Sequence, residues 1–355
     1  MPQRAEISTL YEFLAATGAR LRTFDMGRHL LKIPGERFLR FEQSEIPYPT
    51  PLHRQAWFAL LFQEPQPESE PFVWFLRFPL DEQAKLNQAA RDDFMHRLVE
   101  RVGVNLQAAR EGGKMEAALQ DNPYSFKPRD DRLAVFHARI SRHLKAAPSR
   151  HYAHARAYFS GELGWDQWPF IGYQGIADVA ARFDQDDNSA MLRQALPQLP
   201  DRPLVALCHC LENEPIDAAL SSALLRAARA SLCHSPPSVS VLAALVRAIS
   251  RSVSQTARRQ LLQEVLDHPL ATEADVLAAL AARAWQQLAG AEMTAPFLER
   301  LARNNQGQAF FDHCLADLLF IPGMREPLLA GLRNPARSAE LSSAVGAFFR
   351  QLGSG

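Results

Sequence analysis

The sequence has few of the features that mark secreted or membrane proteins. Its first residues, MPQRAEISTLYEF, lack the unbroken apolar core of a signal peptide, and no apolar run approaches the roughly 18 residues that a membrane span needs. Four cysteines in 355 residues do not form the disulfide framework of a small secreted domain. We therefore expect a cytoplasmic protein in a reducing compartment, without membrane insertion.

Linear catalytic motifs are absent as well. The chain has no glycine-rich phosphate loop, no nucleophile elbow, no kinase-type set and no HExxH motif. The sequence therefore names no nucleophile or general base, and we predict no cofactor. An enzyme remains an open alternative, because catalytic groups can be far apart in a sequence.

Cysteine and histidine pairs suggest a metal site, but their spacing argues against one. Cys208 and Cys210 are two residues apart, so on a helix their side chains point about 200° away from each other. We expect both to be buried as small apolar residues. His151 and His154 have a spacing that can chelate on a helix, but their segment offers no third ligand. The sequence predicts no metal site.

The composition is that of a soluble globular protein, with 47% hydrophobic and 22% charged residues, and the length suggests two domains. Near the amino terminus, a short helix ending near Gly18 is followed by segments with alternating apolar and polar residues, typical of half-buried antiparallel strands. A helical pattern then begins near residue 81. We predict an α+β domain with an antiparallel sheet over residues 1–105. The predicted strands are ARLRTFDMG, RHLLKI, ERFLRFEQ, QAWFALLFQ and PFVWFLRF.

Residues 203–355 have an almost continuous helical pattern with an internal repeat. Apolar pairs recur at steps of 37, 36 and 31 residues, and each is preceded by a second apolar helix, which indicates two helices per unit. Such units resemble degenerate HEAT repeats, which stack into a solenoid. The apolar pairs begin at Leu224, Leu261, Phe297 and Leu328, and the preceding helices are centred on Leu207, Leu245, Leu280 and Leu315.

Residues 106–202 are predicted to form a helical connector that contains all the positive excess of a chain with zero net charge. Lys and Arg outnumber Asp and Glu by 8 to 2 in residues 125–156, a segment that reads as two helices broken at Pro148. These helices could bind a phosphorylated ligand or nucleic acid. Alternatively, they neutralise the acidic repeats within the same chain. The candidate binding residues here are Arg132, Arg139, Arg142, His143, Arg150 and His154.

An aromatic stretch, YFSGELGWDQWPFIGYQG at 158–175, follows the basic segment. Large aromatic side chains among glycines suit either a packed junction between domains or a ligand pocket, and we favour the junction. As an enzyme pocket it would need Glu162, Asp166 and His154 to converge. The candidate ligand-contacting residues are Trp165, Trp168, Phe170 and Tyr173.

Two segments, ISTLYEFLAATGARLRTFDMGRHL and FVWFLRFPLDEQAKLNQAARDDF, resemble a bacterial protein family catalogued only as a domain of unknown function. The resemblance extends over nearly the whole chain. It implies a bacterial cytosolic origin and supplies no activity, ligand or catalytic residue.

These patterns favour a non-enzymatic adaptor that binds a protein partner through a helical-repeat surface at 203–355. The first alternative is binding of nucleic acid or a phosphorylated ligand by the helices at 127–156. The second is an enzyme with a pocket at 158–175. The identity of the partner does not follow from the sequence.

Overall fold

The computed structural model describes residues 9–15, 18, 20–63, 71–102, 119, 121–234 and 236–353. It divides the chain into two compact units. The first comprises Met1–Pro128 with Leu319–Pro322, and the second comprises Arg129–Leu318 with Gly323–Gly355. The loop EPQPESE at 64–70, which separates two of the predicted strands, lies outside the described residues.

The first unit contains a four-stranded antiparallel sheet of order β2-β1-β3-β4. Thr23 of β1 pairs with Ile33 of β2 and Leu60 of β3, and Leu60 in turn pairs with Trp74 of β4. The predicted strands of this sheet are confirmed in all but one case. The strand bounds are Arg20–Asp25 (β1), Leu31–Ile33 (β2), Gln55–Gln63 (β3) and Phe72–Pro79 (β4).

The exception is ERFLRFEQ, which forms a helix, so the prediction of a strand there is wrong. Helix α2 runs over Gly35–Glu42 and buries Phe38 and Phe41, which are three residues apart and therefore share one helix face. The buried carboxylate of Glu42 accepts hydrogen bonds from the backbone N–H groups of Leu10 and Tyr11, at 2.9 and 2.8 Å. The helix thus anchors the start of α1, Leu10–Ala15.

Helix α3, Gln88–Val102, confirms the helical pattern predicted after the last strand. Its fully buried residues Phe94 and Leu98 belong to the same core as the sheet. Phe78 of β4 meets Phe94 edge to face, with 5.3 Å between the ring centroids. The core of this unit is therefore largely aromatic and lies on the face of the sheet that α2 and α3 cover.

All the secondary-structure elements among the described residues of the second unit are helices. Thr272 ends a short 3₁₀ turn between two of its helices, and another such turn spans Trp165–Phe170. The helix bounds are Asp130–His143 (α4), Tyr152–Phe159 (α5), Tyr173–Ala181 (α6), Asn188–Ala195 (α7), Asp201–Leu211 (α8), Ala218–Cys233 (α9), Val239–Ile249 (α10), Gln255–Asp267 (α11), Ala274–Arg283 (α12), Trp285–Leu288 (α13), Ala291–Ala302 (α14), Gln308–Leu319 (α15), Arg325–Leu332 (α16) and Ala339–Gly353 (α17).

These helices pack in two layers along the chain. One layer stacks α4, α6, α8, α10 and α12 in that order, and we call it the first layer. The other stacks α5, α7, α9, α11, α14 and α16. Leu207, Leu245 and Leu280 lie in α8, α10 and α12, while Leu224 and Leu261 lie in α9 and α11, and all five are completely buried. The spacing read from the sequence thus corresponds to successive helices of the two layers.

The fold class predicted from the sequence, an α+β amino-terminal domain followed by an all-α domain, is confirmed. Most residues of the predicted connector at 106–202 that the structure describes belong to the second compact unit, which begins at Arg129. In the described part of the chain, no helix is both long and apolar enough to cross a bilayer.

Candidate functional site

The basic residues singled out in the sequence occupy two kinds of position. Arg132 and Arg139 are seven residues apart on α4 and both contact the loop that follows α8. Arg142 donates to the carbonyl of Ala181 and pairs with Asp184 at 2.7 Å. The remaining three, His143, Arg150 and His154, are exposed. The six residues therefore do not form one surface.

The loop after α8 holds two buried carboxylates. Helix α8 ends at Leu211, and Glu212 and Glu214 follow it with side chains only 2% and 4% exposed. Two charged groups with so little access to water must be balanced by cations, because the desolvation of an unpaired carboxylate is costly. The cations come from helices distant in sequence.

Glu212 binds three arginines. Its Oε1 contacts a guanidinium nitrogen of Arg283 at 3.0 Å and of Arg132 at 3.3 Å, and its Oε2 accepts from Nε of Arg247 at 2.6 Å. These cations come from α12, α4 and α10. Because Glu212 itself follows α8, one carboxylate joins the carboxyl ends of α8, α10 and α12 to the start of α4.

Glu214, the second buried carboxylate, pairs with a different arginine, Arg139. Arg139 donates to its carboxylate and to the carbonyl of Asn213. Arg251, two residues beyond the end of α10, also lies within electrostatic range of Glu214 and of Arg139. Its neighbour Arg258 on α11 adds another cation.

We call this group the arginine ladder. It contains six guanidinium groups and two carboxylates, so cations outnumber anions threefold. Asp131 is nearby, but it pairs with Arg129 at the start of α4 and contributes no net charge together with it. The ladder comprises Glu212, Glu214, Arg132, Arg139, Arg247, Arg251, Arg258 and Arg283.

The electrostatics of the ladder follow from this imbalance. Burial raises the pKa of Glu212, but the charges of its three arginines outweigh burial and hold the pKa well below its ordinary value. Burial and the nearby charge of Arg247 lower the pKa of His209 to about 4, so this imidazole is neutral at pH 7. Burial, with the charge of Arg139, also lowers the pKa of Arg251.

Cys208 and Cys210 lie on α8 directly before the ladder. Both are buried, as the sequence predicts, and burial raises the pKa of each thiol. Tyr173 hydrogen-bonds with the Cys210 thiol, and the pKa of its phenol is raised by burial. Across the described residues, no cluster of three or more His, Cys, Asp or Glu side chains could hold a metal ion. These thiols therefore behave as inert core groups.

The aromatic stretch connects α5 with α6 inside the second unit, so it does not span the boundary between the two units. Tyr158 is buried, and its ring meets Trp165 edge to face at 5.7 Å. Trp168 lies beneath the guanidinium of Arg202, and Phe170 is 72% exposed. Of the predicted aromatic residues, Tyr173 reaches the neighbourhood of the ladder, through Cys210.

A groove of about 540 Å³ opens at the other end of α8 and α10. Its floor includes three alanines on α9 at helical spacing, whose small side chains leave space above them. Arg193, Arg226 and His234 lie along it, with Asp201 as an acidic counterpart. The alanines are Ala223, Ala227 and Ala230, and the apolar walls include Leu196, Leu199, Leu204 and Val241.

Comparison with known proteins places the chain in a family. A family described as "Protein of unknown function (DUF3549)" matches residues 5–349. The chain belongs to this family. Neither the curated proteins nor the solved structures contain a match. The resemblance stated from the sequence is thus confirmed as far as a domain of unknown function.

In this DUF3549 chain, sequence reasoning identified the ladder's cations on α4 but missed its other members. Glu212, Glu214, Arg247, Arg251 and Arg283 look like ordinary surface charges in the sequence. One signal was available: Glu212 directly follows α8, Arg247 lies two residues before the end of α10, and Arg283 is the last residue of α12. Helices that stack side by side bring such end positions together.

Proposed function

We propose that this chain is a binding protein that docks a protein partner on its helical unit, which we interpret as a degenerate HEAT-like array. The observation that carries the proposal is the groove at the start of α8 and α10. Its volume of about 540 Å³ falls within the range of ligand-binding clefts, and its walls are mainly apolar. Alternating helical layers also leave an extended surface of the kind that repeat proteins use for partners.

The charges along the groove define the chemistry of the partner. Arg193, Arg226 and His234 face a single acid, Asp201. A peptide segment with one or two apolar side chains and flanking carboxylates would fill the alanine-lined floor and pair with the arginines. Such a segment matches the groove in both polarity and charge.

The test compares two substitutions on the same helix. Ala227→Glu places a larger, negatively charged side chain in the groove, whereas Ser222→Glu adds the same charge at an exposed position outside the lining. Wild type and both variants serve as bait in native lysate of the producing cells, and captured proteins are quantified by mass spectrometry. We expect a stoichiometric partner that the Ser222→Glu bait retains and the Ala227→Glu bait loses.

Folding of each bait is checked by circular dichroism before capture. A folded wild-type bait that recovers no stoichiometric protein contradicts the proposal. So does a partner that the Ala227→Glu bait retains undiminished.

A further inference from the structure

We propose that the arginine ladder is a binding site for a phosphate group carried as a dianion. The ladder joins α4, the loop after α8, the end of α10 and α11 through side chains that lie far apart in sequence. It is separate from the groove of the proposed function, because the two features lie at opposite ends of α8. That helix has 11 residues and so spans about 16 Å.

The first argument is the charge balance. A purely structural ion-pair network needs about one cation for each buried carboxylate, since every surplus buried cation costs free energy. Here Glu212 alone is contacted by three arginines. Arg251 adds positive charge near Glu214, and Arg258 adds more near Arg251; the buried Nε atom of each has no hydrogen-bond partner among the described residues. A bound dianion would offset this surplus.

The second argument is the arrangement of the charges by depth. The two carboxylates are almost inaccessible, with 2% and 4% of their side chains exposed. The arginines in front of them keep more surface: 20% of Arg132, 22% of Arg139 and 25% of Arg247. The solvent-accessible part of these ion pairs therefore belongs to the arginines, and the carboxylates are buried beneath the surface.

The third argument is preorganisation. Like charges repel, so several arginines stay side by side only when another group fixes them. Glu212 fixes Arg132, Arg247 and Arg283, and Glu214 fixes Arg139. A ligand that binds to side chains already held in position loses less conformational entropy than one that must order them.

The class of ligand follows from the donors. Guanidinium groups present planar, paired N–H donors that match the oxygens of a phosphate, and they remain charged at any physiological pH. A dianionic phosphate balances two of the surplus cations, whereas a single carboxylate balances one. Inorganic phosphate, a phosphomonoester and a nucleoside diphosphate share this chemistry.

The experiment measures binding by calorimetry at constant ionic strength, with inorganic phosphate, ADP and a single-stranded 12-nucleotide DNA as probes. The variant is Arg251→Gln, which removes a ladder cation, and Arg258→Gln is the second variant. The control is Arg229→Gln, which removes an arginine paired with Glu264 on the exposed side of α9 and α11. We expect saturable phosphate binding that weakens by about tenfold or more in each ladder variant, the loss expected for one charge-assisted hydrogen bond. The control should bind like wild type.

A stability measurement separates this role from a structural one. If Arg251 only supported the fold, Arg251→Gln would lower the thermal midpoint, whereas a surplus cation leaves the midpoint unchanged or raises it. The proposal is overturned if wild type shows no saturable phosphate or ADP binding, or if both ladder variants bind like wild type. It is also overturned if the DNA binds and phosphate does not displace it, since the site would then be a nucleic-acid surface. ADP binding without phosphate binding assigns the site to a phosphate on a larger ligand and supports the proposal.

Discussion

Replacing Glu212 with glutamine removes the negative charge that three arginines share, and it should destabilise the helical unit strongly. Removal of one partner from a buried ion pair costs about 3–5 kcal/mol, because the remaining charge stays desolvated. Arg132 and Arg247 keep 20% and 25% of their side chains exposed and can regain water. Arg283 is 9% exposed and cannot. We therefore expect a loss near that of one buried pair, about 4 kcal/mol, rather than three times that value.

The assay is thermal and urea unfolding followed by circular dichroism at pH 7. In a unit of roughly 220 residues, 1 kcal/mol shifts the midpoint by about 2–4 °C, so Glu212→Gln should lower it by roughly 10 °C. The control is Glu264→Gln, which breaks the more exposed pair with Arg229 and should change the midpoint little. A Glu212→Gln protein within about 1 kcal/mol of wild type would refute the reasoning, because even one buried pair should cost more.

Further predictions concern a buried carboxyl group, the cysteines and two glycines. Burial raises the pKa of Glu42 to about 7, above its unfolded value of 4.5, so the wild-type unfolding free energy should fall by about 3 kcal/mol between pH 4.5 and 7 relative to Glu42→Gln and stay level above pH 7. Cys233 is exposed and Cys208 is buried. The reaction of the native protein with a thiol reagent should therefore have a fast phase that Cys233→Ser lacks and Cys208→Ser retains. Gly175→Ala places a Cβ atom 2.6 Å from the backbone oxygen of His151 and should cost about 1–3 kcal/mol in unfolding free energy. In Gly290→Ala the nearest atom, the backbone oxygen of Gln287, is 3.6 Å away, so the thermal midpoint should change little.

Much of the fold could be predicted because burial imposes a period on the sequence. The strand at 55–63 carries an almost continuous apolar run because β3 is central in the sheet and is largely buried on both faces. The segment at 35–42 was misread because its apolar residues fit two periods. Phe38 and Phe41 are three apart, which is helical, but together with polar neighbours they also resemble an interrupted alternation.

The candidate site was far less accessible to sequence reasoning. Arg132 and Arg247 reach Glu212 across 80 and 35 residues, and the chain contains 39 acidic and 39 basic residues among which no local pattern selects these. Charged residues have no period of their own, because a surface position accepts nearly any charge. Only the stacking of α8, α10 and α12, which brings their ends together, determines which acids and bases meet.

The sequence left two interpretations of the basic segment open, neutralisation within the chain and binding of an anion, and the ladder combines features of both. Arg132 and Arg139 do pair with buried acids of the same chain. Neutralisation alone, however, would require only one cation for each carboxylate, and it would not gather Arg247, Arg251 and Arg283 around the same two groups. The ion pairs of Glu212 and Glu214 therefore explain how the arginines are held in place. The excess of arginines over carboxylates is the reason for proposing a bound anion. The two ladder variants and the Glu212 variant separate these roles, because loss of a carboxylate should weaken the fold and loss of a surplus arginine should weaken phosphate binding alone.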